Sequence, residues 1–518
     1  MLRIQFWTAL TLLLGTLACR RPEEARGLLR YNESESVRSL DPVQAFKRAH
    51  IWITRLWAET LFEVDSAGQV APALCQGYRW SAGRDTLWMG VRAGVYFHKD
   101  PCFGPDSTRA LRPEDVVYAL RRAAHHPASA WIFSPVRRDS AGHPGIRLVR
   151  DSVEIALKRP QISFLKQLAN PQAAIVPQEW VLHYGAAAAR HPVGTGPFRF
   201  VAWHPEEMLL FRRHENHWKN AEEGRAGMPP QGVLIRLMRD RQTEILRFVQ
   251  GDLDFMAGND RSYAVFFLDQ RGRLKEPYSG KIRLEKGPVL NTEYLAFHLE
   301  RPCPPCQSRT LRRTIAALLD KTYLTDVALE GVGVPAHTSM VPPALRAYAL
   351  PPAPPPSNER CTLRLMTTGP YSLQAALVKD MLERQGFTVT VGLSDAATHK
   401  TAVALGEYDF FRGSWIADFP DAENYFSLFY SGNRAPDGPN YSRFKNPVYD
   451  ALFEQLCATE QPDARQALCA RLDSLLTEEM PVIPLYYDVQ LRFLGSRVVD
   501  LPFDVSGHPD FSRARIRD

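Results

Sequence analysis

The chain reads as an α/β protein of two lobes. Residues 233–238, 242–250 and 253–256 alternate as strand, helix and strand, a βαβ unit that requires parallel pairing. After the stiff stretch Leu350-Pro351-Pro352-Ala353-Pro354-Pro355-Pro356 the alternation resumes, with a strand over 361–366, a helix over 372–385 and a strand over 387–391. The composition agrees: 518 residues, 45% hydrophobic and 23% charged, is a globular chain long enough for several cores.

The remaining elements follow in order. A short strand over 28–31 is ended by Ser39-Leu40-Asp41-Pro42, and 45–62 has helical spacing through Ile51, Leu56, Trp57 and Leu61. Residues 64–98 read as turn-linked strands, among them 86–91 and 95–98. A helix starts at Arg112-Pro113, with Glu114 and Asp115 at its positive end. A strand over 153–157, a short helix over 163–168 and a strand over 173–176 come next. Further on, 294–299 reads as a strand and 308–330 as one helix. Two helical patterns joined at Glu460-Gln461-Pro462 carry Cys457 and Cys469. There is no solenoid-type repeat.

Charge and the N-terminus bound the function. A net charge of +6 spread over 63 basic and 57 acidic residues gives no basic block, which argues against a nucleic-acid partner. Arg3 is the only charge before position 20, and the uncharged stretch 6–18 is too short to span a bilayer. A basic start, a short apolar run and Leu17-Ala18-Cys19 describe an export signal, residues 1–18, with Cys19 as the site of lipidation and 19–27 as a tether. Thr16 stands where a lipoprotein signal usually has Leu; ordinary cleavage near Ala18 is the alternative. Export permits disulfides. Cys303-Pro304-Pro305-Cys306 reads as a structural disulfide, half a zinc site or a redox pair, and Cys457 and Cys469 can bridge two antiparallel helices. Cys75 with Cys102 is a further candidate pair, leaving Cys361 alone.

Catalytic motifs are incomplete. Ser163-Phe164-Leu165-Lys166 fits S-x-x-K without the S-D-N and K-T-G that should accompany it. His214-Glu215-Asn216-His217 misses H-E-x-x-H because Trp218 occupies the last position. Gly194-Thr195-Gly196-Pro197 lacks the Lys of a phosphate loop. The expectation is therefore no catalytic residue, no metal site and no cofactor.

The positive signals lie in an ordered series. Ser39-Leu40-Asp41-Pro42, Glu59-Thr60-Leu61-Phe62-Glu63 with Gly68 and Ala71-Pro72-Ala73-Leu74, and Gly94-Val95-Tyr96-Phe97-His98 come first. Pro192-Val193-Gly194-Thr195-Gly196-Pro197-Phe198 follows, then Tyr408-Asp409, Trp415, Ala417-Asp418 and Pro420. Asn446-Pro447, Tyr449-Asp450 and Pro481 to Tyr486 close the series. In this order they resemble the peptide/nickel-binding family of ABC-importer solute-binding proteins, which includes oligopeptide- and dipeptide-binding proteins. Lys99-Asp100, Ala422 and Arg112 depart from the family pattern.

The resemblance implies a two-lobed, periplasmic-binding-protein-like fold (type II) with an extra subdomain in the first lobe. Lobe I is expected at 28–60, 190–290 and 484–518, the inserted subdomain at 61–189 and lobe II at 291–483. It further implies a monomer outside the cytoplasm that takes a peptide or other small solute to an ABC permease, and no enzyme. The same family also offers a metal chelate, haem or sugar as cargo, or the sensing of a signalling peptide; a secreted hydrolase ranks lower. By the family pattern Asp418 receives the ligand's ammonium, and the backbone of Gly413, Ser414 and Trp415 pairs with an extended ligand. Val37 is the expected partner from the other lobe. Trp415 is either cleft wall or core, and Asp421 suits a helix cap.

Overall fold

The computed structural model describes residues 27–219, 228–258, 261–269, 272–352 and 355–517. The export signal, most of the tether and Cys19 lie outside the described residues.

Two long strands organise the molecule. Ile282–Phe297 and Val482–Gly495 run antiparallel at the centre of an eleven-stranded sheet. At one end Val482–Gly495 pairs with Phe255–Gly258, beyond which come Leu28–Asn32, Gly232–Arg236, Met208–Arg213 and Phe198–His204. At the other end Ile282–Phe297 pairs with Phe410–Ile416, followed by Thr362–Thr368 and Thr388–Ser394. The ladder between the two long strands shifts register between Pro288 and Thr292.

Parallel pairing occurs in both halves. Leu28–Asn32 lies between Gly232–Arg236 and Phe255–Gly258 and runs parallel to both. The βαβ unit is present, its helix Arg241–Val249 capped by Asp240, which accepts from Thr243 N–H at 2.7 Å. Leu28–Asn32 fills the slot between the unit's two strands. In the other half Thr362–Thr368 lies between Thr388–Ser394 and Phe410–Ile416, parallel to both. A separate four-stranded antiparallel sheet (Cys75–Trp80, Thr86–Val91, Ser152–Ala156, Ile146–Val149) packs with helix Pro113–His125 into the core of the first half. The helix has no Ser/Thr cap; Arg112 N–H donates to Asp115 Oδ2 at 2.9 Å, so an acid in the first turn satisfies one of the donors at the helix start.

Several expectations are revised. The strand expected over 294–299 is the end of Ile282–Phe297. It is buried without a break from Leu290 to Phe297, but only Tyr294 to Phe297 read as an apolar run; Asn291, Thr292 and Glu293 before them, and Arg283, Glu285 and Lys286 further out, hide the rest of the strand. The helix over 308–330 is two, Arg309–Leu318 and Lys321–Ala328, because Asp320 turns its carboxylate to Tyr323 N–H at 2.9 Å and starts a new one. Residues 95–98 form no strand beyond the single bridge of Tyr96 to Ala110. Residues 173–176 form no strand: Ala173 ends the 3-10 turn Pro171–Ala173, and Ile175 N–H donates to Glu59 O.

Cys303 and Cys306 are drawn together, their Cα atoms 5.1 Å apart, within the span of a disulfide. Cys457 and Cys469 are not bridged: both are buried thiols in one apolar core. The physical reason is their neighbours. Cys457 turns its thiol to Glu423, while Cys469 lies near Asp421 and Asp473. Cys75, Cys102 and Cys361 are unbridged too.

The helix pair Pro447–Ala458 and Pro462–Glu479 buries Asp473, which accepts from Ser339 Oγ and Tyr348 Oη, both at 2.6 Å. Burial pushes its carboxyl up to about 6, with the two hydroxyl donors opposing. A raised folded-state value means this group favours the fold most at low pH, and the contribution is lost as pH rises through about 6. Asp473→Asn is therefore expected to raise the melting temperature at pH 8, by an amount worth about 3 kcal/mol, and to change it little at pH 4. Equal shifts at both pH values, in a thermal melt, would refute this.

Candidate functional site

A cavity of about 410 Å³ opens where the two halves of the sheet face each other. Its floor is Val289 and Leu290, at the register shift of the long strand. One wall comes from helix Arg48–Trp57 and the segment after it, and from the C-terminal turn around Asp504 and Phe511. The opposite wall is Ile416, Ala417, Asp418, Phe419 and Pro420, just past the end of strand Phe410–Ile416. Phe46 and Ile416 are apolar yet 61% and 65% exposed, and both line the cavity.

The strand leading to this wall has a free edge. Phe410 and Phe411 pair with Thr362–Thr368, but the following residues pair only with Ile282–Phe297. Ala417 N–H donates to Leu290 O, while Arg412 O accepts from His399 on the other side. Alternation along an antiparallel strand then turns the N–H and C=O of Ser414 outward, and those of Gly413 and Trp415 inward. Of the three backbone positions singled out in the sequence, Ser414 is the one at the free edge. Gly413 has a different constraint: a Cβ there would lie 2.4 Å from Tyr294 Cζ.

The Asp418 side chain is held by one neighbour. Asn424 Nδ2 donates to its Oδ2 at 3.4 Å, and Asn424 Oδ1 accepts from Asp418 N–H at 3.2 Å and from Trp415 Nε1 at 2.8 Å. Trp415 packs against the second core and orients Asn424; it is not part of the cavity wall. No Lys, Arg or His among the described residues forms an ion pair with Asp418. Its carboxyl is open to the cavity, and the desolvating walls hold it above the ordinary carboxylate range, the Asn424 bond opposing. Val37 is buried in the first core, away from the cavity lining.

Asp421, three residues on, has the opposite surroundings. It caps helix Ala422–Phe426 by accepting from Glu423 N–H at 2.9 Å. Arg465 Nη2 lies at 2.7 Å and Lys166 Nζ at 3.0 Å. Burial opposes its ionisation, but the two cations win and hold it well below the ordinary range. Ser163 Oγ donates to Glu423 Oε1 at 2.7 Å, and Lys166 Nζ also donates to Pro420 O at 2.7 Å. The S-x-x-K motif thus fastens one side of the cavity to the other, its two polar groups already engaged. Asp421→Ala is expected to destabilise the protein by about 3 kcal/mol, since it takes the nearest acid from two largely buried cations and removes a helix cap. A denaturation midpoint equal to the parent's would refute this.

Residues missed in the sequence complete the wall. Glu59 accepts from His217 Nε2 at 3.1 Å and from Trp218 Nε1 at 3.1 Å, so the His214–His217 motif supplies a donor to an acid rather than standing alone. The glycines of Pro192 to Phe198 serve packing. Gly196 N–H donates to Trp57 O, and His98 N–H donates to Gly194 O.

A cavity walled by both halves of one sheet, joined through two adjacent strands, is the arrangement of a type II periplasmic binding protein. The model of the bacterial extracellular solute-binding proteins, family 5 (middle), matches residues 69–363, and the chain belongs to that family. It is a solute-binding protein of the peptide/nickel group associated with ABC importers, not an enzyme. Among curated relatives it is 22% identical to the peptide transport periplasmic protein SapA of Salmonella typhimurium, over 88% of this chain and 85% of that one. It is 24% identical to a probable di/tripeptide-binding protein 5 of Pseudomonas aeruginosa, over 88% and 89%. The structure of HbpA2 from Haemophilus parasuis superposes with a TM-score of 0.81 at 19% identity, covering 95% of this chain and all of that one.

Proposed function

We propose that this chain captures peptides in the cleft between two lobes and delivers them to an ABC permease, as a monomer held at a membrane by a lipid on Cys19. The observation that carries the reading is Asp418: a carboxylate on the cavity wall, oriented by Asn424 and without a protein cation. An incoming ammonium supplies the missing countercharge and favours the ionised form of the carboxyl. The outward N–H and C=O of Ser414 pair with the ligand backbone, which reads the main chain and leaves side chains loosely specified. The peptide-binding names of SapA and the Pseudomonas relative support the same cargo. Lobe I is 28–60 with 190–290 and 484–518, the inserted subdomain 61–189, and lobe II 291–483; they close by turning about the two long strands. The bond between Cys303 and Cys306 is a structural disulfide on the same reading.

A mixed tripeptide library added to the purified protein tests this. At a hundredfold excess over Kd a bound peptide adds about 2.7 kcal/mol, which a thermal melt resolves, and native mass spectrometry then gives the mass retained. A melt that does not move with any peptide sinks the reading.

A further inference from the structure

We propose that the cavity selects a basic peptide with no carboxylate inside it: one whose C-terminus is amidated or extends beyond the cavity. This rests on the reading of Asp418 as the ammonium partner and concerns the rest of the cargo.

Five carboxylates and three permanent cations line the cavity, although the whole chain carries a net charge of +6. Each cation already has its acid. Arg55 Nη1 lies 2.5 Å from Asp504 Oδ2. Lys166 is bound to Asp421 and to Pro420 O. Lys219 pairs with Glu63. The two lining histidines also sit on acids, His217 on Glu59 and His508 on Asp504 at 3.4 Å. Arg346, whose Nε and Nη1 find no hydrogen-bond partner, is not in the lining, and its field falls on Asp473. Among the described residues no lining cation is left to meet an anion.

The consequence for a short zwitterionic peptide is unfavourable. Its ammonium is matched at Asp418, but its carboxylate, about 3.3 Å per residue away along an extended chain, loses water and gains no partner. Drawing Arg55 away leaves the largely buried Asp504 to His508 alone, and drawing Lys166 away leaves the largely buried Asp421 to Arg465 alone, so either move weakens a buried ion pair. Lysine or arginine side chains on the cargo meet an excess of carboxylate instead. Removing the terminal carboxylate, or carrying it outside on a longer chain, removes the cost.

Calorimetric titration of the purified protein with Lys-Ala-Lys amide, the free acid Lys-Ala-Lys, and N-acetyl-Lys-Ala-Lys amide separates the two claims. The amide is expected to bind at least tenfold more tightly than the free acid, and acetylation to weaken it by about 100-fold or more. A free acid that equals or exceeds its amide, with acetylation still damaging, overturns the charge inference and leaves the role of Asp418 standing. An acetylated peptide that binds as tightly as its parent overturns the role of Asp418. Absence of heat with all three overturns the peptide cargo itself and this inference with it.

Discussion

Asp418→Ala is expected to weaken peptide binding by about 100-fold, roughly 3 kcal/mol, while leaving the melting temperature of the free protein unchanged or slightly raised. The two halves of that expectation have one cause. Without ligand the carboxylate has only Asn424 as a side-chain partner, at 3.4 Å, and its surroundings already disfavour its charge, so its removal costs the empty fold nothing. With ligand bound, alanine leaves a desolvated ammonium without a countercharge. Asp418→Asn keeps the shape and loses the charge, and is expected to match the alanine variant in affinity. If either variant binds peptide as the parent does in calorimetry, Asp418 is not the ammonium partner. If both variants melt several degrees lower, its role is structural.

Gly196→Ala is expected to be severely damaging, with a loss of about 3 kcal/mol or failure to fold. A Cβ at Gly196 would sit 2.5 Å from Trp57 C and 2.7 Å from Leu56 O, which are backbone atoms of a helix end buried in the first core. A flexible side chain could move aside; a helix terminus cannot. Gly94 makes the control. It has φ of +75° and open space around a Cβ, so Gly94→Ala pays only for the left-handed backbone, about 1 kcal/mol. Urea midpoints decide: similar losses at the two positions would show that the close approach at Trp57 carries no special weight.

The sequence carried the architecture where local chemistry and tertiary packing agree. The unit Gly232–Arg236, Arg241–Val249 and Phe255–Gly258 could be read because Asp240, Ile245 and Phe248 mark a capped, one-sided helix between apolar strands. The outer half of Ile282–Phe297 could not, because its polar residues take their order from partners such as Leu491 to Gly495, two hundred residues away. The site divides in the same manner. Asp421 announced itself as a cap by its place before a helix, and Asp418 stood out through its motif. The link from Trp415 through Asn424 to Asp418 needs a helix folded back onto a strand, and no spacing rule encodes it. Glu59 lies some 158 residues from His217, and that pairing too is purely tertiary. Likewise Asp41, in the first motif, forms an ion pair with Arg122 of helix Pro113–His125, a structural duty that the motif's position before a turn does not reveal.

The two long strands leave one mark on how this molecule would move. They are neighbours in a single ladder, and their hydrogen bonding lapses between Pro288 and Thr292, beside the cavity floor. A two-ply ribbon with a short unlaced stretch bends about one line and resists shear along its length. Opening and shutting would then share a fixed path, with the strain gathered under the cargo. A change in cargo thickness would be felt as an angle at the far rims, the surfaces a membrane partner can inspect.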